Sequence, residues 1–589
     1  MRLRKIVVKN FRNLRDLTFF PSQITVIIGE NNTGKSNLLY ALRLILDPNS
    51  KRLESELSVE DINDLAYSQG ITSFSITIEI GDLQHHQELE ARYWERLDRD
   101  GQETFITIEG RYAPDEEGNY SWKVQVLPPR GSANEPMVFT NTMARLIPLY
   151  YIDAIRYAEK ELRPTARGAF SDLLKNIDLE DISADVIDNI RNANDALNRN
   201  EDINELSTGI SSFLSPQMPG GNSTVSIRVA NDDPSQLLKD LRLGLKRQSD
   251  LREYAITKHG TGLQNLVLIA MFRQKIASSG INQPILAIEE PEAHLHPHAQ
   301  RSLFKDLEKI QSPVLLTTHS PQIVECCDPL GIVKLSVDHQ NAISAYQINA
   351  HNFNEDDLKF LSRMMRSGRS DAFFAKSIIV VEGVSETIAL PAFAEFLGSN
   401  LDREGVSVVP AESNSYSYIL NTCHKDNFCI PYIITYDSDA LQNSNDLIKE
   451  AFKSRCLDKT ICDSLSQASP TQRQTMLESI GWISVVQCFE EEISRAGYLP
   501  VVLKVIEDAG AKHSLEQYLT QNNLSKDAFG VSQFLKKIRS GTGLKVQVAR
   551  AVANEVENIG KVPPCFERAI KEAIQLASGS GELPNGTHP

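Results

Sequence analysis

The stretch Gly29-Glu30-Asn31-Asn32-Thr33-Gly34-Lys35-Ser36 decides the fold of the first part of this chain. An apolar run at 24–28 predicts a buried strand before it, and apolar residues at helical spacing over 35–46 predict a helix after it. Glycines allow backbone N–H groups to curl around phosphate oxygens, and the amino terminus of a helix adds a partial positive charge. We expect Lys35 to reach the β- and γ-phosphates and the Ser36 hydroxyl to bind Mg²⁺ or Mn²⁺. The stretch therefore predicts a phosphate loop that binds ATP.

A second apolar run supplies the acids that such a loop needs. The segment Pro284-Ile285-Leu286-Ala287-Ile288-Glu289-Glu290 predicts a buried strand that ends in two carboxylates. Glu289 is placed to hold the Mg²⁺ shell, and Glu290 to orient or deprotonate the attacking water. The segments Pro291-Glu292-Ala293-His294-Leu295-His296-Pro297 and Leu315-Leu316-Thr317-Thr318-His319-Ser320 follow, and they strengthen the assignment of an ATP site.

These motifs resemble the ATP-binding-cassette (ABC) branch of P-loop ATPases, especially its SMC and RecF-like members, and Asn10-Phe11-Arg12-Asn13 is similar to their opening strand. The resemblance implies that His319 senses the γ-phosphate and that segment 292–297 crosses a nucleotide dimer. The nucleotide contacts that it implies are Gly29, Asn31, Asn32, Gly34, Lys35, Ser36, Arg12, Glu289 and His319.

The chain departs from the ABC pattern at two places. Glu289 stands where those ATPases carry an aspartate, and Gly260-Thr261-Gly262-Leu263-Gln264 stands where they carry the signature sequence. Slow hydrolysis, or the use of ATP as a sensor, is therefore as well supported as rapid turnover.

Carboxylates also follow two later apolar runs. The run 377–381 leads into Glu382-Gly383, with Glu386 in the first turn of a predicted helix, and the run 432–436 leads into Asp437-Ser438-Asp439. Because the ends of parallel strands open into one crevice, we expect these four carboxylates to converge. Such a cluster repels itself unless a divalent cation is present, and an all-oxygen site suits Mg²⁺ or Mn²⁺.

The pattern Glu-Gly-x2-Glu followed by Asp-x-Asp resembles the Toprim fold of topoisomerases, primases and OLD-family nucleases. An ABC-type ATPase followed by a Toprim domain is the arrangement of the OLD (overcoming lysogenization defect) family, to which the nuclease subunit of the Gabija anti-phage system belongs. The resemblance includes Tyr151-Ile152-Asp153-Ala154 and the helical segment after it, which in that family serves dimerisation.

The resemblance also implies two further parts of the Toprim site. Phe489-Glu490-Glu491-Glu492-Ile493 matches a third acidic motif, in which we favour Glu490 and Glu492 over Glu491 as ligands of a second metal, and Lys545 matches the catalytic lysine. The implied chemistry is two-metal hydrolysis of a phosphodiester, with the lysine neutralising charge on the pentavalent phosphate. The implied catalytic residues are Glu382, Glu386, Asp437, Asp439, Glu490, Glu492, Lys545 and, at the ATP site, Glu290; the implied metal ligands are Ser36, Glu289, Glu382, Glu386, Asp437, Asp439, Glu490 and Glu492.

The order of patterns predicts an α/β protein with two domains. Alternating runs at 73–80, 104–109 and 121–126 predict an antiparallel meander, 154–214 reads as helical, and helices are also predicted over 235–247 and 262–276. The fold class is an ABC-type P-loop ATPase domain with a helical dimerisation insertion, followed by a Toprim α/β domain with a helical C-terminal part. The predicted boundaries are 1–153 and 223–350 for the ATPase, 154–222 for the insertion, 351–372 for a linker, 373–577 for the Toprim domain and 578–589 for a disordered tail.

Composition and charge limit the partners and the cellular location that we expect. The net charge of −16 argues against indiscriminate nucleic-acid binding but leaves room for a local basic groove. The eight cysteines show no zinc-type spacing, and no apolar run reaches the roughly 20 residues that span a bilayer. We expect a cytoplasmic protein without a membrane segment that associates with itself and acts on nucleic acid, with DNA favoured. A partner encoded nearby, such as a helicase or a retron reverse transcriptase, stays an open alternative.

Two functions compete. The leading hypothesis is an ATP-binding, Mg²⁺-dependent endonuclease that is gated by nucleotide and acts in anti-phage defence. The alternative is an SMC- or RecF-like ATPase that senses DNA without nuclease activity. Topoisomerase or primase activity is disfavoured because the chain has no zinc-ribbon cysteines and no recognisable strand-passage domain.

Overall fold

The computed structural model describes residues 1–153, 200–218, 223–228, 242–247, 252–278, 284–337, 342–366, 370–411, 416–437, 463–465, 467–526, 530–537 and 541–579. They form two compact units, Met1–Ala345 and Tyr346–Pro589. Most of the predicted insertion, 154–199, the acid Asp439 and most of the predicted tail lie outside the described residues.

The first unit contains three sheets and the helices between their strands. Its strands are β1 (Arg2–Phe11), β2 (Leu14–Phe19), β3 (Ile24–Gly29), β4 (Phe74–Gly81), β5 (Asp98–Asp100), β6 (Glu103–Pro114), β7 (Tyr120–Val126), β8 (Met137–Val138), β9 (Leu149–Ile152), β10 (Ser223–Arg228), β11 (Arg242–Arg247), β12 (Tyr254–Ala255), β13 (Ile285–Glu289), β14 (Val314–Thr317), β15 (Ile332–Val337) and β16 (Ile343–Gln347). Its helices are α1 (Lys35–Leu46), α2 (Lys51–Ser55), α3 (Asp64–Ser68), α4 (Gln87–Tyr93), α5 (Asn141–Ala144), α6 (Glu201–Leu214), α7 (Thr261–Ser278), α8 (Pro297–Leu307) and α9 (Pro321–Val324).

The central sheet of this unit has the order β16-β15-β3-β14-β13-β9. The neighbours from β15 to β9 pair in parallel. Strand β3 is apolar apart from Thr25, and Val26, Ile27 and Ile28 are fully buried, which is typical of a parallel strand covered on both faces. The phosphate loop leaves β3 and enters α1, as the sequence predicts.

A second sheet has the order β2-β1-β4-β6-β7-β8, with β5 also paired to β6. Neighbouring strands on this path pair antiparallel, and buried residues such as Ile6 and Val8 alternate with more exposed ones along β1. The buried face shares one hydrophobic core with α1, through Leu38 and Leu42 among others. The predicted meander at 73–126 is therefore confirmed.

The helix predicted over 235–247 is wrong for Arg242–Arg247, which form strand β11. This strand pairs antiparallel with β10, so that Leu243 lies opposite Ile227 and Leu245 opposite Val225. All four side chains are buried. The two leucines are two residues apart, which is the period of a strand, whereas the composition of the residues before them favours a helix.

The second unit contains a parallel sheet surrounded by helices. Its strands are β17 (Ser377–Val381), β18 (Val406–Pro410), β19 (Tyr432–Asp437) and β20 (Trp482–Val485). Its helices are α10 (Glu355–Met364), α11 (Val384–Phe396), α12 (Leu401–Glu404), α13 (Tyr416–Cys423), α14 (Pro470–Glu478), α15 (Phe489–Ile493), α16 (Leu499–Asp508), α17 (Lys512–Gln521), α18 (Val531–Lys537), α19 (Gly541–Ile559) and α20 (Pro564–Ala577).

The strand order is β18-β17-β19-β20, and all three neighbouring pairs are parallel. One core joins this sheet to α11, α16, α19 and α20, so the helical C-terminal part packs against the strands that carry the acids. The division between the compact units falls at Ala345, and α10 occupies part of the segment 351–372 for which the sequence predicts a linker.

Candidate nucleotide and carboxylate sites

The phosphate loop owes its shape to two closely packed glycines. A Cβ atom on Gly29 would lie 2.5 Å from the carbonyl oxygen of Leu335, and one on Gly34 would lie 2.6 Å from Cδ2 of Leu14. Gly34 also has a φ of +84°, which side chains rarely adopt. Only glycine at these two positions keeps the backbone of the loop in this conformation.

Lys35 is held inside the loop by backbone carbonyls. Its Nζ donates to the carbonyl oxygen of Gly29 at 2.9 Å and to that of Glu30 at 2.7 Å. Burial lowers the pKa of Lys35, while the charges of nearby acids, Glu290 and Glu289 first among them, act in the opposite direction. A partly desolvated ammonium whose hydrogen-bond acceptors among the described residues are backbone carbonyls is well suited to an anionic ligand such as a phosphate.

Glu289 meets the Ser36 hydroxyl at the end of β13. Burial raises the pKa of Glu289, and hydrogen bonds with Ser36 and Tyr151 oppose that rise. Its Oε1 atom is buried without a hydrogen-bond partner among the described residues. A hydroxyl and a carboxylate with an unused oxygen are the kind of ligands that Mg²⁺ takes, so these residues fit the predicted metal.

Glu290 and His319 face each other across the neighbouring strand ends. The Nε2 atom of His319 lies 3.9 Å from Oε1 of Glu290. Glu290 has a φ of 42°, an uncommon conformation for a residue other than glycine. Burial and the charge of Lys35 lower the pKa of His319, so the imidazole is neutral at pH 7.

Arg12 supports the loop from the first strand instead of reaching into it. Its Nε donates to Oδ1 of Asp61 at 2.8 Å and its Nη1 to Oδ1 of Asn37 at 2.9 Å. The guanidinium also lies 4.3 Å from the centre of the Tyr40 ring. Next to it, Nδ2 of Asn13 donates to the carbonyl oxygen of Asn32 at 2.9 Å.

The two predicted loop asparagines are both exposed. Asn32 has a φ of 67°, which asparagine tolerates better than most residues, and Asn31 precedes it in the loop. The segment Gly260–Gln264 forms the first turn of α7, and a Cβ on Gly262 would lie 2.4 Å from the carbonyl oxygen of His294. This turn therefore contacts the loop that follows β13.

The acids of the second unit collect at one edge of its sheet. Glu382 directly follows β17, Asp437 is the last residue of β19, and these two strands are neighbours in the sheet. Glu386 lies in the first turn of α11. Glu386 and Asp437 are buried, whereas Glu382 is exposed.

The pKa of Glu386 is affected by the charges of the neighbouring acids. Burial raises its pKa to about 8, and the charges of Glu490 and Glu382 add to the rise. Hydrogen bonds from the backbone at Glu386 and Gly383 oppose it. A buried carboxyl that is hard to ionise beside two other acids is the electrostatic situation that a divalent cation relieves, so the charges of these acids suit a divalent metal.

Lys545 approaches the same group from α19. Its Nζ lies 2.9 Å from Oε1 of Glu490, whose side chain is 2% exposed. Burial by itself lowers the pKa of Lys545, but the charge and hydrogen bond of Glu490, with smaller effects from Cys488 and Asp437, outweigh it and raise the pKa. The lysine is therefore protonated and lies within the field of these acids.

The comparisons with known proteins agree with this two-part arrangement. A family model described as "Protein of unknown function (DUF2813)" matches residues 1–372, and one described as "Overcoming lysogenization defect protein-like, TOPRIM domain" matches residues 373–439. An OLD nuclease of Thermus scotoductus is 25% identical over 476 residues, which cover 74% of this chain and 82% of the relative. The endonuclease GajA of Bacillus cereus is 23% identical over 464 residues, covering 74% and 75%.

The chain belongs to the OLD family. A solved SMC head bound to the C-terminal winged-helix domain of ScpA aligns with 61% of the chain and with all of that structure, at 14% identity and a TM-score of 0.42. The predicted fold class is confirmed at the level of an α/β protein in which a phosphate-loop domain is followed by a Toprim domain. None of its described helices is both long enough and apolar enough to cross a membrane.

The third acidic motif of this OLD-family chain divides its acids among three tasks. Glu490 faces Lys545 and Glu386, as described above. Glu491 accepts the backbone N–H of Ser532 at 3.1 Å, at the start of α18. Glu492 accepts the backbone N–H of Val486 at 3.1 Å and a hydrogen bond from Cys565. The structure thus brings Glu490 to the other acids, while the contacts of Glu492 hold its own loop.

Some parts of the predicted set are not brought together. Within the part of the chain that the structure describes, no three His, Cys, Asp or Glu side chains are arranged to hold a metal ion, and Asp439 lies outside that part. The sequence prediction gave no role to Tyr151, although its hydroxyl bonds to Glu289 and its ring lies 4.0 Å from the Arg43 guanidinium. Its place at the end of a strand beside β13 was the available signal.

Proposed function

We propose that this OLD-family protein is an endonuclease that hydrolyses phosphodiester bonds of DNA at the Toprim edge and is gated by ATP at the phosphate loop. The relatives named OLD nuclease and endonuclease GajA support the enzyme class, a Toprim-type metal-dependent endonuclease with an ABC-type ATPase domain. The observation that carries the proposal is the group of Glu386, Glu490 and Lys545, in which a buried carboxyl with a raised pKa lies beside an acid–lysine pair.

The residues divide the chemistry as follows. Glu382, Glu386, Asp437 and Glu490 supply oxygen ligands for divalent cations, which in such sites activate water and stabilise the leaving oxygen. Lys545 holds a positive charge next to Glu490, where it can interact with the phosphate that gains negative charge during the reaction. Asp439 and Glu492 complete the proposed ligand set; Asp439 lies outside the described residues, and Glu492 also bonds to Val486 and Cys565.

In this proposal, ATP bound at the phosphate loop controls cleavage at the Toprim edge. By the same proposal Lys35 and Ser36 bind the phosphates and their Mg²⁺, Glu289 joins the metal shell, and Glu290 acts with His319 at the γ-phosphate; the contacts of Lys35, Glu289 and His319 support it. Self-association through segment 154–222 and a role in anti-phage defence are also part of the proposal, and both rest on the resemblance of the sequence motifs to the OLD family.

Cleavage of plasmid DNA in Mg²⁺ or Mn²⁺ tests the endonuclease directly. We expect Glu382→Ala and Lys545→Ala to lose cleavage by about 10²-fold or more, because the first removes a proposed metal ligand and the second removes the positive charge beside the reacting phosphate. ATP binding should be unchanged in both variants. Glu395→Ala is the matched control, since Glu395 is exposed on α11 and distant from the strand ends.

Cleavage that persists at the wild-type rate in both variants would sink the nuclease proposal. Wild-type protein that binds ATP and DNA but does not cleave in either metal would favour the competing function, an SMC- or RecF-like DNA sensor. The opening strand motif and the ABC-type sheet keep that alternative in view.

A further inference from the structure

The carboxylate of Glu292 points into the interior of the first unit. Glu292 follows β13 by three residues and is 9% exposed. Its Oε1 atom accepts the hydroxyl of Thr318 at 2.7 Å and the backbone N–H of His319 at 2.8 Å. One oxygen of the loop after β13 therefore holds two consecutive residues of the loop after β14.

Burial makes the charged form of Glu292 unfavourable. Burial raises the pKa of Glu292, and the charge of Glu290 adds to the rise, while hydrogen bonds from Thr318 and from the backbone of His319 oppose it. The Oε2 atom is buried without a hydrogen-bond partner among the described residues. Hydrogen bonds to a carboxylate are roughly twice as strong as neutral ones, so the acid gives a firmer tie between the loops than a neutral side chain would.

The tie fixes the backbone of His319 on both sides. Before it, the backbone N–H of Thr318 donates to the carbonyl oxygen of Ile27 at 3.1 Å. After it, the backbone N–H of Ser320 donates to Oγ1 of Thr318 at 2.9 Å, and the Ser320 hydroxyl to Oε1 of Gln300 at 2.6 Å. These hydrogen bonds hold the backbone and leave the imidazole side chain of His319 able to rotate.

Glu290, in the loop after β13, is also held by a backbone hydrogen bond to the end of β14. Its backbone N–H donates to the carbonyl oxygen of Thr317 at 3.0 Å. The separation of 3.9 Å between the His319 imidazole and the Glu290 carboxylate is therefore set by two short loops with Glu292 between them. Removal of the Glu292 carboxylate would leave the His319 N–H and the Thr318 hydroxyl without their acceptor.

We propose that Glu292 is a positioning residue for ATP hydrolysis, which holds His319 at its distance from Glu290 and from the γ-phosphate. This role rests on the proposed ATP site and is independent of the nuclease part of the proposed function. It differs from the role in a loop that crosses a nucleotide dimer, because the Glu292 side chain is buried within its own chain.

Single-turnover ATP hydrolysis by the full chain tests the role. A catalytic group displaced by about 1 Å can cost roughly 10²-fold in rate, so we expect Glu292→Ala to lower the rate by about 10- to 100-fold while the Kd for ATP changes less than about threefold. Glu292→Gln should recover most of the rate, since its amide oxygen accepts the same two hydrogen bonds. In a His319→Ala background, Glu292→Ala should cause little further loss, because both changes remove one function.

Asp306→Ala is the matched control for a merely structural effect. Asp306 is also buried, on α8, where it bonds to Lys309 and Gln217. It should lower the melting temperature without lowering the rate of hydrolysis.

Three results would overturn the role: a full additional loss in the His319→Ala background, an equal rate loss in Asp306→Ala, or a glutamine variant as slow as the alanine variant. Wild-type protein that binds ATP without turning it over would overturn it too, and plasmid cleavage would still report on the nuclease. Conversely, intact hydrolysis without any plasmid cleavage would remove the nuclease proposal and leave Glu292 in place.

Discussion

Replacement of Glu386 by glutamine should stabilise the metal-free protein at neutral pH. In the unfolded chain this carboxyl ionises near 4.5, whereas in the folded site its pKa is about 8. Between these values the folded state binds more protons than the unfolded state, so the stability of the metal-free fold falls as pH rises from about 4.5 to about 8. At pH 7 the accumulated loss is about 2.5 pH units, or ~3 kcal/mol.

Glutamine has nearly the same shape and cannot ionise. We therefore expect the Glu386→Gln variant to unfold with a free energy about 3 kcal/mol higher than wild type at pH 7 in EDTA, and less than about 1 kcal/mol higher at pH 5. Saturating Mg²⁺ should reverse the order, because metal binding to the wild type releases the proton and stabilises the fold, and the variant lacks that ligand.

Urea unfolding followed by tryptophan fluorescence measures this difference. The chain has three tryptophans, and a Trp94→Phe/Trp122→Phe background leaves Trp482 on β20 as the reporter for the second unit. Glu395→Gln, on the exposed side of α11, is the matched control and should show no pH-dependent gain. The reasoning is refuted if the Glu386→Gln variant gains nothing at pH 7, or if its gain is larger at pH 5 than at pH 7.

Three further changes test other contacts. Lys35→Ala should abolish ATP binding in calorimetry and remove any response of plasmid cleavage to added ATP, while cleavage without nucleotide stays near wild type. Asn427→Ala should cost about 2–4 kcal/mol in urea unfolding, because this fully buried amide holds two backbone groups through hydrogen bonds of 2.6 and 2.9 Å; a loss below about 0.5 kcal/mol would contradict it. Lys545→Met should lower the melting temperature in EDTA, because Glu490 loses its cation, and Mg²⁺ should restore most of the loss; equal losses in both conditions would count against a metal at Glu490.

The elements that carry the sites could be predicted because their signals are local. Helix α1 and strand β17 begin and end at the predicted residues, and β3 and β19 are each extended by one residue. Continuous apolar runs bounded by glycine or acids identify buried parallel strands well, since both faces are covered and no alternation is needed. Strand β11 was missed because its two buried leucines acquire meaning only through the partner strand β10.

The division of labour among neighbouring acids could not be predicted. Glu490, Glu491 and Glu492 are consecutive and chemically alike, yet they contact Lys545, the backbone of Ser532, and Val486 with Cys565 respectively. Lys545, Ser532 and Cys565 lie far along the chain from these acids, and Val486 lies just before α15. The same is true of Glu292, whose partners Thr318 and His319 are reached only after β13 and β14 lie side by side.

The two sites share one electrostatic logic with opposite signs. At the phosphate loop burial lowers the pKa of Lys35, whose ammonium donates to two backbone carbonyl oxygens, so an anionic ligand would stabilise its charged form. At the Toprim edge burial raises the pKa of Glu386 and two further acids add to the rise, so a cationic ligand would stabilise its charged form. Lys545 supplies only part of that charge, because it bonds to Glu490 and leaves Glu386 with a pKa near 8. An anion beside Lys35 and a cation beside Glu386 would each offset the cost of burying those groups, so ligand binding should stabilise the unit that contains each site.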